Sequence, residues 1–241
     1  MTTGLENLIS DLGPSTIFRI ATYTSYNGPA SINNQEDADE SAEIVINDLE
    51  PSLNDYDAYL VACYSVHPLV SLIRERADTR VSVMGIFEAS VIAALALLPQ
   101  RKDMQHLSGG GYETFGIVST GKYWEEALSR GVKEFLGTER ECLRFKGVET
   151  TGLSAGELHT ADPGQVRGRI KDATKRLVRG GDCSVVCLGC AGMAGMDDTV
   201  REAIVEELGE QAARRVRIVD GVKAGVGILE GLERMFPGER A

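Results

Sequence analysis

Two cysteines, Cys63 and Cys190, each follow an apolar, strand-like run of residues and could together carry out proton-transfer chemistry. A helix is predicted to begin soon after Cys63, at Pro68, because proline is well tolerated in the first helical turn. Another is predicted near Asp198, after Cys190, since aspartate is a good N-cap residue. In open parallel sheets the ligand crevice lies outside the carboxyl ends of the strands. Both thiols are therefore expected where a ligand would bind, one from each half of the chain.

A thiol and a thiolate on opposite faces of one carbon are what racemisation without a cofactor requires. One group removes the proton, and the other returns a proton to the opposite face. The free N–H groups of nearby helix N-termini would favour a thiolate and a developing oxyanion. A cysteine at a strand end is also a common packing residue. Packing therefore stays open as the alternative for each thiol, and the repetition of the arrangement favours the pair.

The elements that must position these thiols alternate between strand and helix, which indicates an α/β fold with parallel sheets. The predicted strands are 17–23, 58–63, 81–86, 114–119, 144–148, 184–188 and 217–219. The predicted helices are 37–49, 68–76, 88–98, 122–136, 163–179, 198–208 and 224–235. The glycine-rich stretch 108–111 is interpreted as a boundary between two lobes.

Composition excludes several classes of function. The chain has 241 residues, 43% of them hydrophobic, which is enough for one large α/β domain or two smaller lobes. A net charge of −11 argues against a nucleic-acid partner. The longest apolar run, 91–98, is too short for a membrane span, and the first residues do not form a secretory signal. Five cysteines, an odd number, do not indicate a disulfide framework, so a reduced, cytoplasmic protein is expected.

Longer motifs surround both cysteines. Leu-Gly-Cys-Ala-Gly-Met at 188–193 is paired with Val-Ala-Cys-Tyr-Ser at 61–65. Supporting motifs are Gly-Ile-Phe-Glu-Ala-Ser at 85–90, Gly-Ile-Val-Ser-Thr-Gly at 116–121 and Val-Asp-Gly-Val at 219–222. Over nearly its whole length the chain thus resembles the aspartate/glutamate/hydantoin racemase superfamily, in particular its hydantoin (allantoin) racemase branch.

The resemblance implies two flavodoxin-like, parallel-sheet lobes related by a pseudo-twofold axis, with the active site in the cleft between them. Lobe 1 would comprise residues 1–100 and 220–241 and carry Cys63, and lobe 2 would comprise residues 101–219 and carry Cys190. The two cysteines would be the bases, with no cofactor, and a homo-oligomer is compatible with the resemblance. The residues implied to line the substrate are Tyr64, Ser65, Ser119, Thr120, Gly121, Ala191 and Gly192.

The residues after Cys190 bear on the substrate. Free amino-acid racemases of this superfamily tend to follow their cysteines with Asn-Thr or Thr-His, which suit a carboxylate and an ammonium group. Here Ala-Gly-Met follows, which is small and apolar and better suits a neutral ring. A hydantoin, such as allantoin or a 5-substituted analogue, carries its C5 proton beside a carbonyl. Its carbanion is an enolate that backbone N–H groups can stabilise.

Two departures from the family pattern leave alternatives open. Relatives usually open with a strand that ends in an Asn-Pro-Asn-Ser/Thr-like turn, whereas this chain begins with residues typical of the following helix, so the first strand is predicted to be missing. Val66 stands where many relatives carry an acidic residue. The alternatives are a related decarboxylase or isomerase that uses mainly Cys190, and a catalytically impaired protein that binds a small molecule.

Other motifs favour structural interpretations. Cys183, Cys187 and Cys190 have a spacing seen at iron–sulfur sites, but a strand would hold them apart. Gly116 to Lys122 nearly forms a phosphate-binding loop, yet Gly116 falls inside a predicted strand. The three histidines, His67, His106 and His159, lack metal-ligand spacing, so no metal site is predicted. A helix-N-terminal or polar packing role, rather than catalysis, is expected for His67, and helix-capping roles for Glu88 and Asp220.

Overall fold

Parallel strands in two sheets, connected by helices, make up the described residues, 18–99, 113–138 and 142–236, of a computed structural model. The strands are β1 (Ala58–Val61), β2 (Ser82–Gly85), β3 (Thr114–Ser119), β4 (Phe145–Thr150), β5 (Cys183–Gly189) and β6 (Arg217–Asp220). The strands β1 and β2 pair with each other, and the second sheet has the order β4-β3-β5-β6. Every pairing is parallel, so within each sheet the carboxyl ends of the strands lie at the same edge.

The helices follow the strands in alternation. They are α1 (Gln35–Leu49), α2 (Pro68–Arg76), α3 (Ile86–Leu97), α4 (Tyr123–Phe135), α5 (Glu157–Thr160), α6 (Pro163–Val178), α7 (Asp197–Leu208), α8 (Glu210–Ala213) and α9 (Gly221–Met235). Within the described ranges, 3₁₀ turns lie at Glu50–Ser52 and Ala191–Met193. This alternation confirms the predicted α/β class with parallel sheets.

Three sequence predictions need comment. The strand predicted at 17–23 is wrong for the described residues, because 18–23 lie largely exposed and form no strand. The hydroxyl of Tyr23 donates to Asp48 Oδ2 of α1 at 2.6 Å, which ties this segment to α1. Asp198 is not the N-cap of α7, since Met196 occupies that position and Asp198 lies in the first turn. The interpretations of the first residues and of 108–111 lie outside the described residues.

A continuous hydrophobic core joins the two sheets through α3. Phe87 of α3 is fully buried and belongs to the same cluster as Phe115 of β3 and Cys187 of β5. Complete burial of a side chain of this size contributes about 2–3 kcal/mol. The helix that follows the first sheet therefore packs against the second sheet and fixes their relative position.

The helix α9 leaves the second sheet and returns to the first. At its first residue, Gly221, a Cβ would lie 2.6 Å from the carbonyl oxygen of Ile86, so that only glycine allows the first turns of α9 and α3 to meet. Farther along, Gly225 packs directly on Leu60 of β1. The two sheets are thus tied together at the edge that carries the carboxyl ends of β2 and β6.

Candidate active site

Cys63 lies two residues beyond β1, in the short loop that leads into α2. The loop is tightly turned, because the N–H of Ser65 donates to the carbonyl of Cys63 at 3.1 Å. The hydroxyl of Ser65 lies 3.4 Å from Cys63 Sγ, within hydrogen-bonding distance for sulfur. The loop ends at His67, whose Nδ1 accepts the N–H of Leu69 and caps α2. The sequence prediction of a helix-N-terminal role for His67 is confirmed.

Cys190 follows β5 directly, at the centre of the second sheet. The residue before it, Gly189, has no room for a side chain, since a Cβ would lie 2.7 Å from the carbonyl oxygen of Val118 on β3. The thiol of Cys190 accepts a hydrogen bond from the N–H of Gly192 at 3.3 Å. The backbone carbonyl of Cys190 accepts a hydrogen bond from the N–H of Met193 at 3.0 Å, which closes the 3₁₀ turn. The backbone after β5 therefore turns N–H groups towards the sulfur.

The two thiols lie within electrostatic range of each other. Burial raises the pKa of Cys63 to about 12, the hydrogen bond from Ser65 opposes this rise, and the nearby Cys190 and Glu88 add to it. Burial also raises the pKa of Cys190, while the N–H groups of Gly192 and Met193 lower it. Both residues nevertheless keep part of their surface exposed. The helix N-termini that the sequence led us to expect to favour thiolate are thus outweighed by burial.

This electrostatic balance defines the chemistry that the pair can perform. A thiol with a raised pKa stays protonated near neutral pH, and its thiolate, once formed, is a strong base. The donors around Cys190 favour its ionised form, whereas the carboxyl of Glu88 disfavours ionisation of Cys63. The arrangement is therefore suited to moving a proton between a carbon and sulfur, with one acid and one base.

The other sequence-predicted site residues fall into two groups. Ser65, Ala191 and Gly192 lie beside the two thiols, in their own loops. Ser119 is buried and donates to the carbonyl of Gly189 at 2.8 Å, so its side chain joins β3 to β5 at the level of Cys190.

Thr120 and Gly121 continue the chain beyond β3. Thr120 is buried, and its carbonyl accepts the N–H of Gly152 at 3.0 Å. Gly121 faces open space, because no atom lies within 4 Å of the position that its Cβ would take. Of these two residues, Gly121 is the one beside which the structure leaves room.

The Tyr64 side chain lies in the hydrophobic core. Its hydroxyl lies 2.5 Å from Ser90 Oγ, and its ring packs edge-on against Phe87. Only 4% of the residue is exposed. The sequence placed Tyr64 among the substrate-lining residues, and in the structure only its backbone is available for that role.

Glu88 is a potential site residue that sequence reasoning assigned to capping alone. A hydrogen bond with the N–H of Gly85 supports that assignment, but Glu88 Oε2 is buried and has no hydrogen-bond partner among the described residues. Burial raises the pKa of Glu88. Its carboxyl lies close enough to Cys63 to raise the pKa of that thiol. Asp220, by contrast, caps α9 through the N–H groups of Val222 and Lys223, as predicted.

His159 is a second residue near the thiols that the sequence did not indicate. It lies on the short helix α5, which packs against the 3₁₀ turn after Cys190. A Cβ placed on Gly192 would lie 3.0 Å from His159 Nε2 and 3.5 Å from Cys190 Sγ. The imidazole and the thiol therefore flank the same small space.

The remaining cysteine and glycine motifs are structural. Cys183 and Cys187 are buried within β5 and belong to separate hydrophobic clusters. These two thiols cannot converge with Cys190 on one iron–sulfur cluster, which confirms the predicted separation. Gly116 lies inside β3 and packs on Leu177 of α6, as expected for a strand residue rather than a phosphate-binding loop.

A search for metal and membrane sites covers the described residues only. Within those ranges, no group of three or more His, Cys, Asp or Glu residues could hold a metal ion. His106 lies outside the described residues. None of the helices in this part of the chain combines the length and apolarity that crossing a membrane requires.

Known proteins resemble the chain in sequence and in fold. A family model described as Asp/Glu/Hydantoin racemase matches residues 1–229. An uncharacterized protein of Schizosaccharomyces pombe (strain 972 / ATCC 24843) is 31% identical over 235 residues, which is 98% of this chain and 87% of the relative. A hydantoin racemase of Pseudomonas sp. (strain NS671) is 27% identical over 231 residues, 95% of this chain and 80% of the relative. The crystal structure of an allantoin racemase from Pseudomonas fluorescens has the same fold, with a TM-score of 0.74 at 23% identity, over 97% of this chain and 87% of that chain.

Proposed function

The chain belongs to the Asp/Glu/hydantoin racemase family, and from this premise we propose that it racemises hydantoin-like rings without a cofactor, by proton transfer between Cys63 and Cys190. The substrate is a 5-substituted hydantoin or allantoin. The observation that carries the proposal is the placement of two thiols at the carboxyl ends of two parallel strands, β1 and β5, within electrostatic range of each other. Ligands bind at this edge in open α/β folds.

The reaction divides into two proton transfers. In one direction Cys190, as thiolate, takes the proton from C5 of the ring, and the electron pair of the C–H bond moves into the adjacent carbonyl to form an enolate. Cys63, as thiol, then gives its proton to the opposite face of C5. The cleft is left with Cys190 as thiol and Cys63 as thiolate, which is the state that accepts the product enantiomer. The reverse reaction exchanges the two roles.

The lining favours a neutral ring over a free amino acid. The residues that follow Cys190, Ala191 and Gly192, carry no charge with which to hold a carboxylate or an ammonium group. The hydrogen bond from Gly192 N–H to Cys190 Sγ places a backbone donor beside the position where charge would develop. A hydantoin racemase among the relatives and an allantoin racemase among the structures of the same fold support this substrate class.

The test is deuterium incorporation at C5 of allantoin and of simple 5-alkyl hydantoins in D₂O. We expect exchange together with loss of optical activity in the wild type, above the spontaneous rate. Cys63→Ser and Cys190→Ser should each abolish racemisation, because each removes one of the two bases. Cys142→Ser is the matched control, since Cys142 precedes β4 and so lies at the amino-end edge of the sheet, away from the cleft.

The outcomes separate the candidate functions. If Cys63→Ser still exchanges the C5 proton of one enantiomer and Cys190→Ser that of the other, each thiol is assigned to one face of the ring. Loss of activity in Cys190→Ser alone would favour a decarboxylase or isomerase that relies on Cys190. Binding of the ring without exchange in the wild type would indicate a binding protein, and loss of activity in Cys142→Ser would refute the assignment of the thiols.

A further inference from the structure

In the loop after Cys190, Gly192 has no side chain at the point where His159 approaches the thiol. Gly192 donates its N–H to Cys190 Sγ, and the space beside its α-carbon is faced by the imidazole of His159. His159 Nε2 and Cys190 Sγ lie 3.0 Å and 3.5 Å from the same point, the position of a Cβ on Gly192. The two atoms can be no farther apart than the sum of these distances. A rotation of the imidazole or one bridging water can therefore connect them.

The position of the imidazole follows from the packing of α5. This four-residue helix is turned onto the loop by Leu158, which is buried in the cluster that contains Met193. His159 is the next residue, and its side chain is exposed at the rim of the same loop. A buried anchor and an exposed imidazole side by side fix the backbone of the histidine and leave its ring free to turn.

Other ionisable groups on the packed elements are held by partners of their own. On α5, Glu157 accepts hydrogen bonds from the N–H and hydroxyl of Ser154. Asp162 caps α6, and Arg167 and Lys171 of α6 form ion pairs with α7.

The remaining neighbours are thiols. On β5, Cys183 and Cys187 are buried inside the sheet. Across the cleft the facing group is Cys63. Of the groups named, His159 is the one whose ring nitrogen faces the same small space as Cys190 Sγ.

We propose that His159 is a positioning residue that takes the thiol proton of Cys190, so that the cleft rests with Cys190 as thiolate and Cys63 as thiol. The S–H bond of Cys190 breaks, an N–H bond forms at Nε2, and an imidazolium–thiolate pair results with no change in net charge. Cysteine ionisation next to a protonated histidine is strongly favoured. At Cys63 burial raises the pKa and the nearby carboxyl of Glu88 adds to that rise, which keeps that thiol protonated.

One consequence of this inference rests on the proposed function: the resting protein first removes the C5 proton of the substrate with Cys190. Its test does not need racemisation. The rate of alkylation of Cys190 by iodoacetamide is measured from pH 5 to 9 on the full chain, with each cysteine followed separately by peptide mapping. The variants are His159→Gln, which keeps a polar side chain but does not titrate, and Thr160→Ser, a conservative control on the same helix.

In the wild type we expect Cys190 to react well below the pH at which Cys63 does. His159→Gln should shift the midpoint of the Cys190 profile upwards by about one pH unit, which is about a tenfold loss of rate at neutral pH. His159→Ala should show the same loss, and added imidazole should restore the rate. Thr160→Ser should leave the profile unchanged.

A Cys190 profile that is the same in His159→Gln and in the wild type would overturn the inference. The same shift in Thr160→Ser would overturn it as well, because helix packing rather than the imidazole would then control the thiol. A shifted profile without any racemisation of hydantoins would refute the proposed function and leave the pairing of His159 with Cys190 intact.

Discussion

Replacing Gly189 with alanine tests whether the close pairing of β3 with β5 positions Cys190. The new Cβ would lie 2.6 Å from Ile117 Cγ2, 2.7 Å from the carbonyl oxygen of Val118 and 3.0 Å from Ser119 Cβ. Because one of these atoms belongs to the backbone of a paired strand, the two strands must separate at the end that carries Cys190. Overpacking of this kind costs about 1–3 kcal/mol. In a chain of this size a loss of about 2 kcal/mol lowers Tm by about 4–8 °C.

The same separation should displace the thiol and lower kcat/KM. A shift of about 1 Å at a reacting group can cost about a hundredfold in rate. Thermal unfolding followed by circular dichroism and racemisation of a 5-substituted hydantoin measure the two effects. Gly168→Ala is the matched control, since Gly168 lies in α6 and has no atom within 4 Å of its Cβ position. A Gly189→Ala protein with the Tm and activity of the wild type, or a Gly168→Ala protein that is equally impaired, would refute the reasoning.

Three further predictions use other buried groups near the cleft. Burial lowers the pKa of His67 to about 4, so the stabilising effect of the neutral imidazole is complete above about pH 6.5 and is lost as the pH falls towards 4. Between pH 7.5 and 5, the free energy of unfolding of the wild type, measured in urea, should fall by about 2 kcal/mol more than that of His67→Asn. Equal losses in the two proteins would contradict this. Glu88→Gln removes a carboxyl that adds to the rise in the pKa of Cys63 caused mainly by burial, so alkylation of Cys63 at pH 8 should become faster, and an unchanged rate would exclude this coupling. Tyr64→Phe removes the buried hydrogen bond to Ser90 and should cost about 1 kcal/mol in urea unfolding without changing thiol reactivity, whereas altered reactivity at unchanged stability would place the hydroxyl in the cleft.

Elements with strong local signals could be predicted from the sequence. The observed bounds of β3 and α2 are those predicted, because β3 is a continuous apolar run and α2 begins at Pro68. The segment 18–23 has the composition of a strand yet forms none among the described residues. A strand exists only where a partner offers its hydrogen-bonding edge, and the periodicity of one segment carries no information about that partner. Local propensity therefore predicts where a strand can form rather than where it does.

The candidate site shows the same division between local and long-range information. Cys63 and Cys190 could be placed at the carboxyl ends of strands, since the sequence fixes which residue follows an apolar run. The direction of Tyr64 could not, because the turn closed by Ser65 N–H sends that side chain into the core. His159 had no signal at all. Its helix has four residues, too few for a periodic pattern, and its approach to the thiol depends on packing between two loops that are distant in the chain.

The two thiols have unequal surroundings, and only some measurements can detect this inequality. Burial raises the pKa of Cys63 to about 12, so this thiol stays protonated at pH 7 and is suited to deliver the proton rather than to remove it. Burial raises the pKa of Cys190 as well, but the N–H donors at its sulfur oppose that rise, so it is the better suited of the two thiols to remove the proton. Racemisation nevertheless has an equilibrium constant of one, because enantiomers are equal in free energy in an achiral solvent. The ratio kcat/KM must therefore be the same for both enantiomers, whatever the resting state of the cleft. The asymmetry can appear only in kcat and KM separately, and in the first turnover, where the enantiomer whose proton faces Cys190 should exchange first.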